Sequence, residues 1–395
     1  MRAKANRTGA FKITERIGEN MNFLKRAWAE IDIPALLHNV RVIEALCPDA
    51  DLMAVIKADA YGHGVEHIVP ALTSAGLKNF AVSNLEEALQ LRDLGVSGQI
   101  LILGYTPPQL ARFLSENDIT QAVYSLDFAR ALSDFAEKDN CRVKIHLKID
   151  TGMGRIGFDC RSDALPGFDE AIQALHCPGL LFDGVFTHFA AADRAGDPDA
   201  SFTEAQYRRF CAAIRAMEQA GFSPRVRHCC NSAGLLLHPD KHLDLCRPGI
   251  ILYGLSPDRD LPLQADFIPV MTFKSVVSLV KEINTGESVS YGRTFTADKP
   301  MRIATVSVGY ADGYPRILSN RGEVLIGGRR AKIVGKVCMD QLCVDVSDIQ
   351  NVKIGDEVVL FGKDLSVDEL AELAGTINYE IVCGLSKRVP RIIKR

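Results

Sequence analysis

Between Trp28 and Ser256 the chain repeats one pattern, a short apolar run followed by an amphipathic stretch. The runs at Leu52–Lys57, Phe80–Ser83, Ile100–Gly104, Gln121–Tyr124, Val143–Asp150, Gly184–His188, Val226–Asn231 and Leu243–Cys246 read as strands. Two intervening helices carry start signals, Ser83 with Glu86 and Ser201 with Glu204, each spaced as a capping box. Strand–helix repetition implies a parallel sheet. Eight such units over this span suit a TIM-type (β/α)8 barrel better than an open doubly wound sheet. After Leu261 the texture changes to strand-like runs separated by turns such as Gly327-Gly328, with one short helix expected at Val367–Ala374. The expected organisation is α/β: a flexible tail over 1–26, a TIM-type barrel over 27–263, and a mostly β C-terminal domain over 264–395.

Composition narrows the function classes. A formal net charge of −3 on 395 residues offers no electrostatic reason to bind nucleic acid or an anionic membrane. No apolar run approaches the roughly 20 residues of a membrane helix. The eleven cysteines are scattered, with no CxxC pair, so a reducing, cytoplasmic setting is expected. The nine histidines show no HExxH spacing, so no metal is expected. Residues 1–26 are polar and basic and lack a signal-peptide core.

The chemistry-bearing residues cluster at strand ends. Lys57 closes an apolar strand and precedes a glycine-punctuated turn, the place where barrel enzymes keep their reactive groups. A partly desolvated amine there can lose its proton and form a Schiff base. Gly152-Met153-Gly154-Arg155-Ile156-Gly157 fits GxGxxG, but loop-like residues follow where a dinucleotide site needs a helix. In the strand before it Lys144, His146, Lys148 and Asp150 alternate with apolar residues, so in a barrel they point into the lumen, where buried charges need partners. Arg155, just beyond, could supply one. His188 ends another strand. Asn231-Ser232-Ala233-Gly234 and Arg247-Pro248-Gly249-Ile250 follow two late strands and read equally as a phosphate cradle or as ordinary turns. In the second domain Tyr291, Tyr310 and the run Val337-Cys338-Met339-Asp340-Gln341 stand beside glycines or strand ends.

Taken in order, AVIKADAYGHG, HLKIDTGMGRIGF, THFAAAD, NSAG, RPGIILYG, VSYG, GYADGY, VCMDQ and INYE resemble the motif set of alanine racemases from about Ala27 to the C-terminus. The resemblance implies a homodimer in which each β domain covers the partner's barrel mouth. It also assigns the first strand, near Trp28–Asp32, to the β domain. It implies a pyridoxal 5′-phosphate enzyme interconverting L- and D-alanine by a two-base mechanism, for peptidoglycan or for catabolism. Lys57 resembles the cofactor-bound lysine and Tyr291 of the partner subunit the second base. Tyr61, Asn231, Ser232, Gly249, Ile250 and Tyr379 match the cofactor and phosphate site, Arg247 the arginine facing the pyridine nitrogen, and His188 the residue orienting Tyr291 and Arg247. Arg155 and the Met339 backbone match the substrate-carboxylate site. Tyr310 and Tyr379 match a narrow gate, Asp340 lies in its supporting motif, and Lys148 stands where many members carry a carbamylated lysine. A decarboxylase of similar build, a racemase of broader specificity and a single-barrel cofactor carrier are the alternatives.

Overall fold

The computed structural model describes residues 26–194, 199–261, 263 and 266–394. Apart from Arg26, the expected tail lies outside them. The described residues divide into two compact units, one of residues 32–270 with 393–394, the other of residues 26–31 with 271–392. The expected barrel range of 27–263 differs from this at its first strand. β1 (Ala27–Asp32) pairs antiparallel with β11 (Met271–Ile283), Ala27 opposite Ser275 and Ile31 opposite Met271, so its backbone bonds are made in the strand-rich unit.

The barrel strands are β2 (Asp51–Val55), β3 (Asn79–Val82), β4 (Ile100–Ile102), β5 (Ile119–Val123), β6 (Val143–Asp150), β8 (Leu180–Phe186), β9 (Val226–His228) and β10 (Leu245–Cys246). They pair in parallel in the order β10-β2-β3-β4-β5-β6-β8-β9. The ring is nearly closed where Asp244 N–H donates to Arg227 O at 3.2 Å and Arg247 N–H to Cys230 O at 3.0 Å. Every residue of β4 and β5 is buried, as expected of strands with helices on one face and a filled lumen on the other. After β6 no helix opens. The chain returns as β7 (Phe158–Asp159), paired to β6 through Ile149 and Phe158, which removes the GxGxxG segment from the dinucleotide-binding pattern.

Two expected helix starts move. The helix Leu85–Asp93 is capped by Asn84, whose Oδ1 accepts Glu87 N–H at 2.9 Å. Glu87, at the third helical position, reaches back to accept Ser83 N–H at 2.7 Å, so the reciprocal arrangement lies one residue beyond the expected Ser83/Glu86 pair. The helix Asp199–Gln219 begins before Ser201, which therefore sits inside the first turn.

In the strand-rich unit β11 is the spine, flanked by β1 and β18 (Glu357–Phe361) and also pairing with β14 (Met301–Val306). β15 (Glu323–Ile326) and β16 (Arg329–Lys332) form a hairpin whose two-residue turn, Gly327-Gly328, has φ of +57° and +75°, the mirror-image geometry that glycine permits without strain. β16 ends at Lys332, and Gly335 then turns the chain at φ +78°. A small apolar cluster of Ile283, Val289, Ala297, Met301, Ile303 and Val334 fills one end. The helix Val367–Ala374 is present, and the helix Asn378–Cys383 follows it.

Candidate active site

The segment after β2 is held between two neighbouring strand ends. Val55 N–H donates to Pro248 O at 2.9 Å and Ile56 N–H to Ala81 O at 3.0 Å. Lys57 follows, half-buried at the strands' C-terminal mouth. Ala58, Asp59, Ala60 and Tyr61 then form a left-handed turn, all with φ between 53° and 55°. Such a conformation costs L-residues about 1–2 kcal/mol each. Side-chain hydrogen bonds into and out of the turn offset that cost. Glu87 accepts Ala58 N–H at 2.7 Å and Asp59 accepts Val65 N–H at 2.8 Å. Buried His63 donates through Nδ1 to the Ala60 and Tyr61 carbonyls at 3.0 and 2.9 Å, and its ring stacks on Tyr253 at 4.2 Å.

The turn delivers the Tyr61 hydroxyl to Gly249. A Cβ on Gly249 would lie 2.7 Å from that oxygen, closer than real side chains approach. Gly249 N–H donates to Ser232 Oγ at 2.9 Å. Ser232 opens the helix Ser232–Leu237, capped by Asn231, and Ile250 opens the turn Ile250–Tyr253. Two hydroxyls and the start of a short helical turn thus meet at a glycine whose missing Cβ leaves room for the Tyr61 oxygen. This is the donor set a phosphate needs. The two turns meet through the Gly249 contacts with Tyr61 and Ser232.

Arg247, also at this mouth, is only 3% exposed. Its guanidinium donates to the Thr187 and Cys229 carbonyls at 2.8 and 3.0 Å and faces His188 Nδ1 at 3.4 Å. Its other terminal nitrogen stands 2.7 Å from His228 Nδ1. Because arginine only donates, this contact fixes a tautomer. His228 Nδ1 accepts, so its Nε2–H donates to His146 Nδ1 at 2.8 Å, and His146 Nε2–H points to Asp183, 3.4 Å away. Arg225 then grips both Asp183 oxygens at 2.7 Å. Burial, reinforced by the Arg247 charge, pushes the His228 and His188 imidazoliums well below their ordinary range, and burial lowers His146 against the opposing pull of Asp183. Burial alone would raise the Asp183 carboxyl, but hydrogen bonds from His146 and Arg225 overcome it and hold the group low.

Lys148 is the second buried cation, 2% exposed, donating to Ile149 O at 3.2 Å with its amine 5.2 Å from the Phe186 ring centre. Burial first, and then the charge of Arg247, push its pKa well below the ordinary lysine value. The inward set on β6 is therefore His146, Lys148 and Asp150, whereas Lys144 is exposed and pairs with Asp118 at 2.5 Å. Asp150 accepts from Gly152 and Gly154 N–H at 3.0 Å each, shaping the loop that carries exposed Arg155, whose charge is felt by Lys148 and His188.

The remaining sequence candidates lie in the strand-rich unit. Ser290, Tyr291, Cys338, Met339, Asp340 and Gln341 line a cavity of about 500 Å³. Tyr291 follows Ser290, which has φ +65°, and its ring is 72% exposed. Tyr310 N–H donates to Cys338 O at 3.0 Å, tying GYADGY to VCMDQ. Asp340 accepts from Arg388 at 2.6 Å, and Arg388 also bonds the fully buried Asp312 at 2.8 Å. Tyr379 lies half-buried in the first turn of Asn378–Cys383. His63, Glu87, His228 and Asp183 were not singled out from sequence. The alternation on β6 pointed to the lumen, but nothing local to Phe186–His188 or Val226–His228 names a partner across it.

A lysine at the mouth of a parallel barrel, on a chain that continues into a strand-rich unit, defines a barrel-type enzyme. The family model for the alanine racemase N-terminal domain matches residues 31–257, and that for the C-terminal domain matches 270–393. The alanine racemase of Desulfovibrio desulfuricans is 45% identical over 374 residues, covering 94% of this chain and 99% of its own. That of Clostridium tetani is 40% identical over 378 residues, covering 94% and 96%. The crystal structure of alanine racemase from D-cycloserine-producing Streptomyces lavendulae superposes with a TM-score of 0.88 at 36% identity, over 95% of this chain and 98% of that one. The chain belongs to the alanine racemase family.

Proposed function

We propose that this protein interconverts L- and D-alanine with pyridoxal 5′-phosphate carried on Lys57, as a homodimer in a reducing cytoplasm. The observation that carries this reading is the convergence of Lys57, the Tyr61–Ser232–Gly249 cradle and buried Arg247 on successive strand ends of one barrel. Tyr61, Ser232 and the Gly249–Ile250 backbone would hold the phosphate, with Asn231 capping the helix beneath it and Tyr379 adding a phenol. Arg247, a donor that does not give up its proton, would face the pyridine nitrogen. When bound, the cofactor spreads the electron pair left on Cα as a proton departs.

The residues must then move protons on two faces. A single base does not easily reach both sides of a planar carbon. Lys57 moves the proton on one side, and the partner subunit's Tyr291 on the other. Arg155 and the Met339 N–H bind the carboxylate, Asp340 holds Arg388 beside that loop, and Tyr310 and Tyr379 admit only a small side chain. His188, kept neutral by burial and by Arg247, orients the guanidinium. Lys148 is buried and biased to the free amine, the form that attacks carbon dioxide. The nitrogen–carbon bond forms, a proton leaves to solvent, and a buried neutral amine becomes a carbamate anion able to brace Arg155. Eleven free cysteines support the reducing setting, and no helix among the described residues is long and apolar enough to cross a membrane.

The test is to incubate the purified protein with each L-amino acid and measure the D-enantiomer. Alanine should be converted fastest, and borohydride reduction should tag Lys57. Faster conversion of arginine or lysine, or a tag elsewhere, overturns the reading.

A further inference from the structure

Next in sequence to the residues of the cradle, the barrel unit buries a cluster of sulfur and imidazole that the racemase reading does not use. Cys47 ends the helix Ile33–Leu46. Cys246 ends β10 and pairs with Leu52 of β2. Cys230 lies two residues beyond β9, and His242 follows the turn Pro239–Lys241. The four are 3%, 0%, 0% and 8% exposed for Cys47, Cys246, Cys230 and His242. One ligand atom from each of Cys47, His242 and Cys246 lies within 4.8 Å of the other two. Cys246 interacts in turn with both Cys47 and Cys230.

We propose that Cys47, His242, Cys246 and Cys230 form a tetrahedral site for a soft divalent cation of the zinc class. Three thiolates and one imidazole are a ligand set such ions prefer. With metal–sulfur bonds of ~2.3 Å, ligand atoms in a tetrahedron stand about 3.8 Å apart, so Cys47, His242 and Cys246 need to approach one another by no more than about 1 Å, and Cys230, which interacts with Cys246, turns in as the fourth ligand. His242 is already oriented to ligate. Its Nε2–H donates to Leu235 O at 2.9 Å, which leaves Nδ1 as the nitrogen to bind the ion once its proton has passed to solvent, and supplies the outer-shell bond that metal-bound histidines make. As each sulfur–metal bond forms, its thiol releases a proton to solvent, and no electron moves. The sequence hid this site because its ligands fit neither CxxC nor HExxH. The only close spacing is His242-x3-Cys246, and Cys47 arrives from the other end of the barrel unit.

The position gives the site a consequence. Cys246 immediately precedes Arg247, and Cys230 immediately precedes Asn231 and Ser232. A bound ion would tie together the two strand ends that carry the cradle, and would stabilise the folded barrel because the unfolded chain lacks the preformed site.

The test uses the full-length, untagged protein from zinc-supplemented culture. Plasma emission should find about one zinc per chain after dialysis. Exchange into Co²⁺ should give the visible bands of a tetrahedral thiolate complex at one equivalent. Cys246→Ser and His242→Gln should each weaken Co²⁺ binding at least about tenfold, while Cys177→Ser, outside the cluster, leaves it unchanged. Sub-stoichiometric zinc together with no tetrahedral cobalt spectrum overturns the proposal, and so does a spectrum that survives both cluster substitutions. Should those variants fail to fold, the two wild-type measurements decide alone.

Discussion

The two compact units present their candidate residues in opposite ways. In the barrel unit Arg247, Lys148, His146 and His228 are all at most 3% exposed, each held by neighbours in the same unit. In the strand-rich unit Tyr291, Met339 and Tyr310 are 72%, 52% and 42% exposed. A buried group takes its protonation state and orientation from its own packing. An exposed phenol takes them from whatever docks on it, here, on our proposal, the partner's barrel. One half of the chemistry is thus preorganised within a fold, and the other waits on assembly.

The contrast breaks hardest at the two proton carriers. Lys57→Ala should lower racemisation by about 10³-fold or more and abolish the borohydride tag, with the thermal midpoint little changed. Retention of activity would end the barrel-centred reading. Tyr291→Phe should cost about 10²–10³-fold. Because the ring faces solvent in its own unit, its stability effect should stay within about 0.5 kcal/mol. Deuterium exchange sharpens this test. The Cα proton of one enantiomer should still exchange while crossing to the other slows, and equal slowing of both would show that the phenol serves only binding.

A milder test acts on the cradle. Gly249→Ala places a carbon 2.7 Å from the Tyr61 hydroxyl, so the hydroxyl must retreat from the phosphate position. Pyridoxal phosphate should bind about tenfold or more weakly, about 1.4 kcal/mol, by equilibrium dialysis. The cofactor-free protein should fold as before if the hydroxyl's retreat is easy. Unchanged affinity would mean that Tyr61 does not touch the phosphate.

Legibility from sequence followed the same division. The eight barrel strands and the Val367–Ala374 helix were readable because burial on both faces and helical periodicity are local signals. The two capping boxes were misplaced because Asn84 caps as well as serine and because helix Asp199–Gln219 starts before Ser201. Lys57, Arg247 and Gly249 were legible as strand-end residues, but the reason for glycine at 249 was not. It is a hydroxyl nearly 190 residues earlier, delivered by a left-handed turn that no propensity favours. The line from Arg247 through His228 and His146 to Asp183 was invisible for the same reason, since each of its contacts joins residues on different strands.

The smallest expected effect separates the units by pH. All nine histidines lie between His38 and His242, and the strand-rich unit has none. His146, His188, His228 and His238 are each pushed below the ordinary imidazole value, by burial first. Above pH ~6.5 these groups are neutral in the folded and unfolded chain alike, so they carry no penalty. As pH falls below that value the unfolded chain takes up protons that the folded barrel refuses, and stability drops by up to about 1.4 kcal/mol per pH unit for each such histidine. His242 does not blunt this slope. It is raised to about 9, mainly through its bond with Cys47, so its contribution is complete below pH ~6.5 and is lost only as pH rises through about 9. Hydrogen exchange between pH 6.5 and 5.5 should therefore show barrel amides losing protection while β11, β14 and β18 keep theirs. His228→Gln, which still offers Arg247 an acceptor oxygen, should flatten the barrel's slope by up to one proton. Loss of protection in both units together would mean that they unfold as one cooperative body, and that burial in the barrel sets the acid limit for the whole chain.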